Sequence, residues 1–207
     1  MAESNFFELL IATMNAGKIR EFAILLAPLA LRLRGLDEFP DIREVAETGA
    51  TFADNAVLKA TGYARQTQIW TLADDSGLEV EALNGAPGVL SARYAGPQAS
   101  DAQRIELLLD ELARTNDTQR RARFTSIIAI ADPDGQVVQV AQGLCEGRLA
   151  RAPRGTNGFG YDPIFIPEGY RQTFGELPDE VKKSISHRAR ALAVASSFLQ
   201  GLVESQA

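Results

Sequence analysis

The chain has 207 residues, enough for one large domain or two small lobes sharing a core, and its 45% hydrophobic and 23% charged content is ordinary globular composition. Its net charge of −6 argues against a broad surface for a nucleic acid polymer, which would need clustered Lys and Arg, but leaves room for a small basic pocket for one phosphorylated ligand. The single histidine, His187, excludes His-rich zinc sites and HExxH arrangements, so a bound metal would take oxygen ligands, favouring magnesium or manganese. The single cysteine, Cys145, can form no internal disulfide and fits a reducing compartment.

The apolar start from Phe6 to Ala12 is short, contains Glu8 and lacks a basic flank, so it reads as a strand and not as a signal peptide. No run is long enough to span a membrane, and the cytoplasm is the expected location. Phe7 to Thr13 reads as a buried strand, followed by a turn at Asn15-Ala16-Gly17. A helix is expected from about Lys18 to Leu29, with Phe22, Leu25, Leu26 and Leu29 on one face and an irregular exit at Pro28. A second helix starts near Thr51, where Thr51 and Asp54 resemble a capping box, and its apolar line is Ala53, Val57, Ala60 and Ala64.

Trp70 to Ala73 looks like a buried strand ending on Asp74 and Asp75, and the alternating Leu78 to Leu83 is bounded by a turn signal at Asn84-Gly85. Ser100 caps an expected helix through Arg114, with Ile105, Leu108, Leu109 and Leu112 inward. Phe124 to Ala131 and Val137 to Cys145 read as strands joined at Pro133-Asp134-Gly135. After the glycine-rich loop Gly155 to Gly160, a last helix runs from about Ser186 to Val203, with Leu192, Ala195, Leu199 and Leu202 on one face. The fold class is α/β with a mixed sheet.

Several segments can carry chemistry, and each has an ordinary alternative. Thr13 to Lys18 forms a strand–turn–helix whose N–H groups, helix dipole and lysine suit a phosphate, or it is a plain turn with a solvated lysine. Glu47 is a ligand or a surface acid; Lys59 shares a helix face with Asn55 and reaches a cleft or snorkels. Asp74-Asp75-Ser76-Gly77 crowds two carboxylates at a strand end, which a magnesium ion would relieve, or it is an Asx-type turn. The aromatics of Phe159-Gly160-Tyr161-Asp162 could stack a base, or the segment is a surface loop. Arg188 continues the buried stripe of the last helix at its N-terminus, opposing the macrodipole, and needs either a structural ion pair or a ligand acceptor.

Taken in order, the motifs Thr13-x-Asn15-x-x-Lys18-x-x-Glu21, Glu47-Thr48-Gly49-x-Thr51-Phe52-x-x-Asn55-Ala56-x-x-Lys59-Ala60, Ala73-Asp74-Asp75-Ser76-Gly77-Leu78, Gly85-Ala86-Pro87-Gly88 with Ser91-Ala92-Arg93-Tyr94, Gly158-Phe159-Gly160-Tyr161-Asp162-Pro163 and Ser186-His187-Arg188 resemble the inosine triphosphate pyrophosphatase family, the RdgB-type enzymes acting on noncanonical purine nucleoside triphosphates. The resemblance covers nearly the whole chain. It implies a single catalytic domain over residues 1–207, an elongated two-lobed α/β fold with a central mixed sheet flanked by helices, an active-site cleft between the lobes, and a homodimer. It implies magnesium-dependent hydrolysis of ITP, dITP and XTP to the monophosphate and pyrophosphate, with manganese as a possible substitute.

By position, Thr13, Met14, Asn15, Ala16, Gly17 and Lys18 would hold phosphates with Lys59. Glu47 and Asp75 would hold the metal with Asp74 in support, and Asp75 would be the general base. Ser76, Phe159, Gly160, Tyr161, Asp162, Lys182, His187 and Arg188 would bind the nucleotide, Lys182 being preferred to Lys183 for its spacing from His187. Met14 stands where a small residue is common and Asn157 where glycine is frequent; Asn tolerates positive φ, which makes that change mild. Phe174 to Leu177 receives no role. Two other readings are a Maf-like pyrophosphatase of different base preference and a non-catalytic nucleotide-binding module, which would not need Glu47 and Asp75 together.

Overall fold

A computed structural model describes residues 7–205. Strand β1 (Phe7–Ile11) is almost wholly buried and pairs in parallel with β2 (Leu31–Gly35) on one side and β3 (Trp70–Val80) on the other. A strand with neighbours and cover on both sides reads as a continuous apolar run, as Phe-Glu-Leu-Leu-Ile does. The order is β2-β1-β3-β4-β5-β6, with β4 at Arg121–Ala131, β5 at Val137–Leu149 and β6 at Phe165–Pro167, the last antiparallel to β5. The sheet is mixed and flanked by helices, as expected. β2 was not anticipated, although Leu31-Arg32-Leu33-Arg34 carries the period-2 pattern of a half-buried strand.

Helix α1 (Ala16–Leu26) starts two residues before the expected point, because Asn15 caps it by accepting from the N–H groups of Gly17 and Lys18. Helix α2 (Phe52–Thr67) opens on the capping box expected at Thr51 and Asp54. Its buried face differs from the expected one: Phe52, Asn55, Ala56, Lys59, Ala60, Tyr63 and Ala64 face inward, while Ala53 and Val57 are only half-buried. The apolar count misled because two polar residues, Asn55 and Lys59, belong to the buried stripe.

The main correction concerns β3. Asp74-Asp75-Ser76-Gly77 is neither a turn nor a strand end; it lies inside one continuous strand that ends at Val80. Glu81–Leu83 is a short 3-10 turn, and the turn signal at Asn84-Gly85 is met by positive φ at both residues. Helix α3 (Asp101–Ala113) is capped by Ser100 and buries Ile105, Leu108 and Leu112; Leu109 is half-buried. The turn at Pro133 to Gly135 joins β4 to β5. A short helix α4 (Asp179–Ile185), also unforeseen, precedes α5 (His187–Ser205), and the Ser186 hydroxyl between them accepts from the Ala189 N–H.

The chain divides into two compact units, and β3, β4, β5 and α5 each run from one to the other. Of the described residues, the first unit takes in those up to Asp75, Ile127–Gln142 and those from Ala191 on. Its core packs Leu9, Ile11, Phe22, Leu26, Leu72, Ile128, Ile130, Ala195 and Leu199. The second unit comprises Ser76–Ser126 and Gly143–Arg190, with Leu78, Ile105, Leu108, Phe124, Tyr161, Phe165 and Phe174 in its core.

Candidate active site

In the first unit, β1, α1, α2 and β3 bring lysines and carboxylates together. Consecutive side chains of a strand point to opposite faces of the sheet, so Asp74 and Asp75 are separated and not crowded. Each has its own cation. Lys18 Nζ lies 2.8 Å from Asp74 Oδ2. Lys59 Nζ lies 3.1 Å from Asp75 Oδ1 and 3.0 Å from Glu47 Oε1, and it donates to the Asp74 carbonyl at 2.9 Å. The premise that crowding alone demands a metal therefore does not hold.

Asn55 explains how Glu47 comes into place. Its Oδ1, wholly buried, accepts from the Gly49 N–H at 2.8 Å and so ties the Glu47-Thr48-Gly49 segment to α2. A side chain at position 49 would collide with Asp54 Cβ at 2.4 Å and with Asn55 Oδ1 at 2.8 Å, so the segment needs its glycine. A buried Asn four residues before a buried Lys was the sequence signal for this support, and its function was not read from it.

Burial pushes the Asp75 carboxyl above its ordinary pKa, and the charges of Lys59 and Lys18 only partly reverse this. Burial also opposes the Lys59 ammonium, but Asp75 and Glu47 outweigh it and hold its pKa above the ordinary value. Asp75 Oδ2 is buried and has no hydrogen-bond partner in the structure. Such an atom, beside a second carboxylate one-third exposed, fits an oxygen-seeking divalent cation or a water molecule. Among the described residues no group of three or more His, Cys, Asp or Glu forms a metal cage. Magnesium commonly takes one or two carboxylates and leaves its other positions to water and phosphate.

The Thr13 to Lys18 loop is partly as expected. Met14 is 73% exposed, so its bulk is accommodated in solvent. Asn15, however, occupies the N–H groups of Gly17 and Lys18, so the amides offered to phosphate are fewer than a bare helix N-terminus would present.

In the second unit, β3, the glycine-rich loop, α4 and the start of α5 form another group. Arg188, 1% exposed, donates from Nη2 to Ser76 Oγ at 2.8 Å, and its guanidinium carbon lies 5.9 Å from the Phe159 ring centre. Lys182 pairs with Asp162 and places Nζ 4.7 Å from the same ring centre. His187 stacks on Phe124 at 4.7 Å.

Tyr161 differs from expectation: it is buried, donates its hydroxyl to the Ser91 carbonyl and belongs to the core, so it offers no face to a base. Asp162 is a loop organiser, accepting the Phe159 N–H at 2.8 Å while paired with Lys182. Phe159 is the loop's half-buried aromatic.

Asn157 does not adopt positive φ; Gly155, Gly158 and Gly160 do. Asn157 instead binds Phe174 to Leu177, its N–H meeting the Gly175 carbonyl and its side-chain amide the Leu177 carbonyl. A Cβ at Gly155 would fall 1.9 Å from the Gly175 oxygen. The unassigned Phe174 to Leu177 segment is thus the bed on which the glycine-rich loop lies, and Phe174 also sits 5.7 Å beneath Lys182 Nζ.

Fold and side chains together define an α/β protein with a buried carboxylate–lysine group in one unit and an Arg–Lys–aromatic group in the other. The chain belongs to the Ham1 family, whose model matches residues 9–198. It is 51% identical over 185 residues to a dITP/XTP pyrophosphatase of Geobacillus kaustophilus, covering 89% of this chain and 90% of that protein. Among solved structures it resembles a HAM1 protein from Coxiella burnetii, with a TM-score of 0.86, 42% identity and coverage of 94% and 99% of the two chains. It also resembles the Staphylococcus aureus Ham1 protein, with a TM-score of 0.82, 43% identity and coverage of 94% and 98%. These likenesses bear out the resemblance and the α/β fold read from the motifs.

Proposed function

We infer that this chain hydrolyses noncanonical purine nucleoside triphosphates, ITP, dITP and XTP, to the nucleoside monophosphate and pyrophosphate. The observation that carries the reading is the Glu47–Lys59–Asp75 group, with its buried Asp75 oxygen lacking a partner, in a chain half identical to a dITP/XTP pyrophosphatase. A non-catalytic binding module would have no use for a buried carboxylate held beside a second one. A Maf-like preference has no support in the relatives.

Water attacks the α-phosphorus, the bond from that phosphorus to the bridging oxygen breaks, and pyrophosphate leaves with the bonding electron pair. Asp75 orients the water and takes its proton, a role suited to a carboxylate whose basicity is raised by burial. Lys18 and Lys59 supply ammonium groups to phosphate oxygens, releasing carboxylate contacts as they do so. Glu47 and Asp75 are the residues that would hold magnesium, while Asp74 serves to place Lys18. Magnesium, when bound, would neutralise triphosphate charge and stabilise the charge developing on the leaving pyrophosphate.

Arg188 carries only donors and so matches the 6-oxygen of hypoxanthine or xanthine and not the 6-amino group of adenine. A mismatch in a buried site costs roughly 1–3 kcal/mol, or about ten- to a hundredfold. Ser76 fixes the guanidinium, and Phe159 offers a flat apolar surface.

The assay is pyrophosphate and phosphate release from ITP, XTP, dITP, ATP and GTP with and without magnesium. Pyrophosphate from the first three, dependent on magnesium, is the expected result; equal hydrolysis of ATP would overturn the account of base choice. A homodimer in the cytoplasm completes the reading. Light scattering on the purified protein tests the dimer, and fractionation of its host cell tests the location.

A further inference from the structure

Phe159 is held by its backbone from two sides. Asp162 Oδ2 accepts the Phe159 N–H, and Asp101 Oδ2, at the first turn of α3, accepts the next N–H, that of Gly160, at 2.8 Å. Asp101 lies 59 residues before Gly160 in the chain, so this bond is a tertiary one joining α3 to the loop within the second unit. Asp101 is itself held by Arg104, one helical turn on, whose side chain is 19% exposed. Gly160 has φ +60 and open space where a side chain would project, so its backbone conformation is what demands glycine there. The residues preceding Phe159 in the loop, Arg151 to Gly158, are exposed.

We propose that Asp101 is a positioning residue for the nucleoside end of the substrate: locked by Arg104, it holds the Gly160 N–H and thereby sets the Phe159 ring against Lys182 and Arg188. The proposal rests on the pyrophosphatase reading for its kinetic consequences but not for the bond itself. Before Phe159 the loop is tied to the Phe174 to Leu177 bed through Asn157, and Asp162 takes the Phe159 amide itself, which leaves the next amide to be fixed. The Asp101 bond fixes that next amide, on the far side of the Phe159 ring, before substrate arrives. The loss of such preorganisation falls on binding of the nucleoside, because the ring must then be ordered during binding. It does not fall on the carboxylate–lysine group that handles phosphate.

The test uses the full chain carrying Asp101→Ala, Asp101→Asn and Arg104→Ala. Amide hydrogen exchange at Gly160, followed by NMR, should accelerate at least tenfold in Asp101→Ala. An unchanged rate overturns the anchor whatever the substrate proves to be. In steady-state assays Asp101→Ala should raise the KM for ITP about three- to tenfold, the range for losing one charge-assisted but solvent-exposed hydrogen bond, with kcat falling less. Inhibition by inorganic tripolyphosphate, which lacks a nucleoside, should keep its Ki within twofold.

Asp101→Asn retains an acceptor oxygen for Gly160 and should recover most of the KM. Arg104→Ala should lie between the two. A parallel weakening of ITP and tripolyphosphate would show a general structural defect and sink the proposal. An accelerated Gly160 exchange in a chain whose wild type shows no ITP hydrolysis would instead uphold the anchor and refute the pyrophosphatase reading.

Discussion

Replacing Lys59 by methionine keeps the length of the side chain and removes its charge, which isolates the electrostatic role of the ammonium. Lys59 is 7% exposed and lies 3.0 Å from Glu47 Oε1 and 3.1 Å from Asp75 Oδ1. Unit charges at that separation attract by about 5 kcal/mol at an effective dielectric near 20, and desolvation of the ions offsets much of it. Removing one partner of a buried pair costs about 3–5 kcal/mol because the other charge is stranded. Here Glu47 is 33% exposed and can regain water, so the stranded charge is chiefly that of Asp75. The expected loss for Lys59→Met is about 2–4 kcal/mol in unfolding free energy.

Adding Asp75→Asn to Lys59→Met removes the stranded carboxylate and should restore much of that loss, with a coupling of about 1.5–3 kcal/mol in the double-mutant cycle. Urea unfolding reads both quantities from the midpoint at constant slope. The single tryptophan, Trp70, is a natural probe, being partly buried between Phe7 and Phe198 in the first unit. A loss below about 1 kcal/mol for Lys59→Met, or an additive cycle, would refute the argument that Lys59 neutralises this buried carboxylate.

Asp75→Asn by itself should leave the circular dichroism spectrum unchanged and lower kcat for ITP by about a hundred- to ten-thousandfold, the range of a lost general base; near-normal turnover removes Asp75 from the chemistry. Gly77→Ala should destabilise the second unit by about 1–3 kcal/mol through overpacking. The new Cβ would lie 2.3 Å from Ser91 Oγ and 2.6 Å from the Gly88 oxygen, and a thermal melt that does not move would contradict this. Cys145 is 1% exposed, and burial pushes its thiol up to about 11 from the ordinary 9.0. The native protein should therefore resist a disulfide reagent at pH 8 and give its full thiol titre only in guanidinium. Because the folded value is the higher one, the Cys145 contribution to stability is intact below about pH 9 and declines as pH rises toward 11. Stability of the wild type should then fall more over that window than that of Cys145→Ala, and parallel pH curves would refute it.

Much of this molecule was legible in one dimension because its signals are local. Apolar periodicity in Phe22 to Leu26 and Ile105 to Leu112, the Thr51–Asp54 box and the Asn84-Gly85 turn are decided by neighbours a few residues apart, and the structure has them, although α1 stops at Leu26, short of the expected Leu29. The ordered motifs also sufficed for the family. What failed were inferences about which polar groups meet. Asp74 and Asp75 look crowded in a sequence, but strand geometry turns them to opposite faces, each toward a lysine from a different helix. Tyr161 looks like a ligand aromatic beside Phe159, yet the chain turns at Gly160 and sends it into the core.

The caps, most of the main strands and the apolar faces of α1, α3 and α5 follow from spacing and propensity, which the sequence by itself determines, whereas the face of α2 does not. Only the tertiary structure decided that Lys59 lies between Glu47 and Asp75, and that Arg188 bonds Ser76. It also decided that Phe174 to Leu177 underlies the glycine-rich loop, with Asp101 holding Gly160. These partners are far apart in the chain, and burial makes a polar group find whichever partner the packed core brings within about 3 Å. That choice depends on strand register and helix rotation, quantities with no local signature in the residues that end up touching.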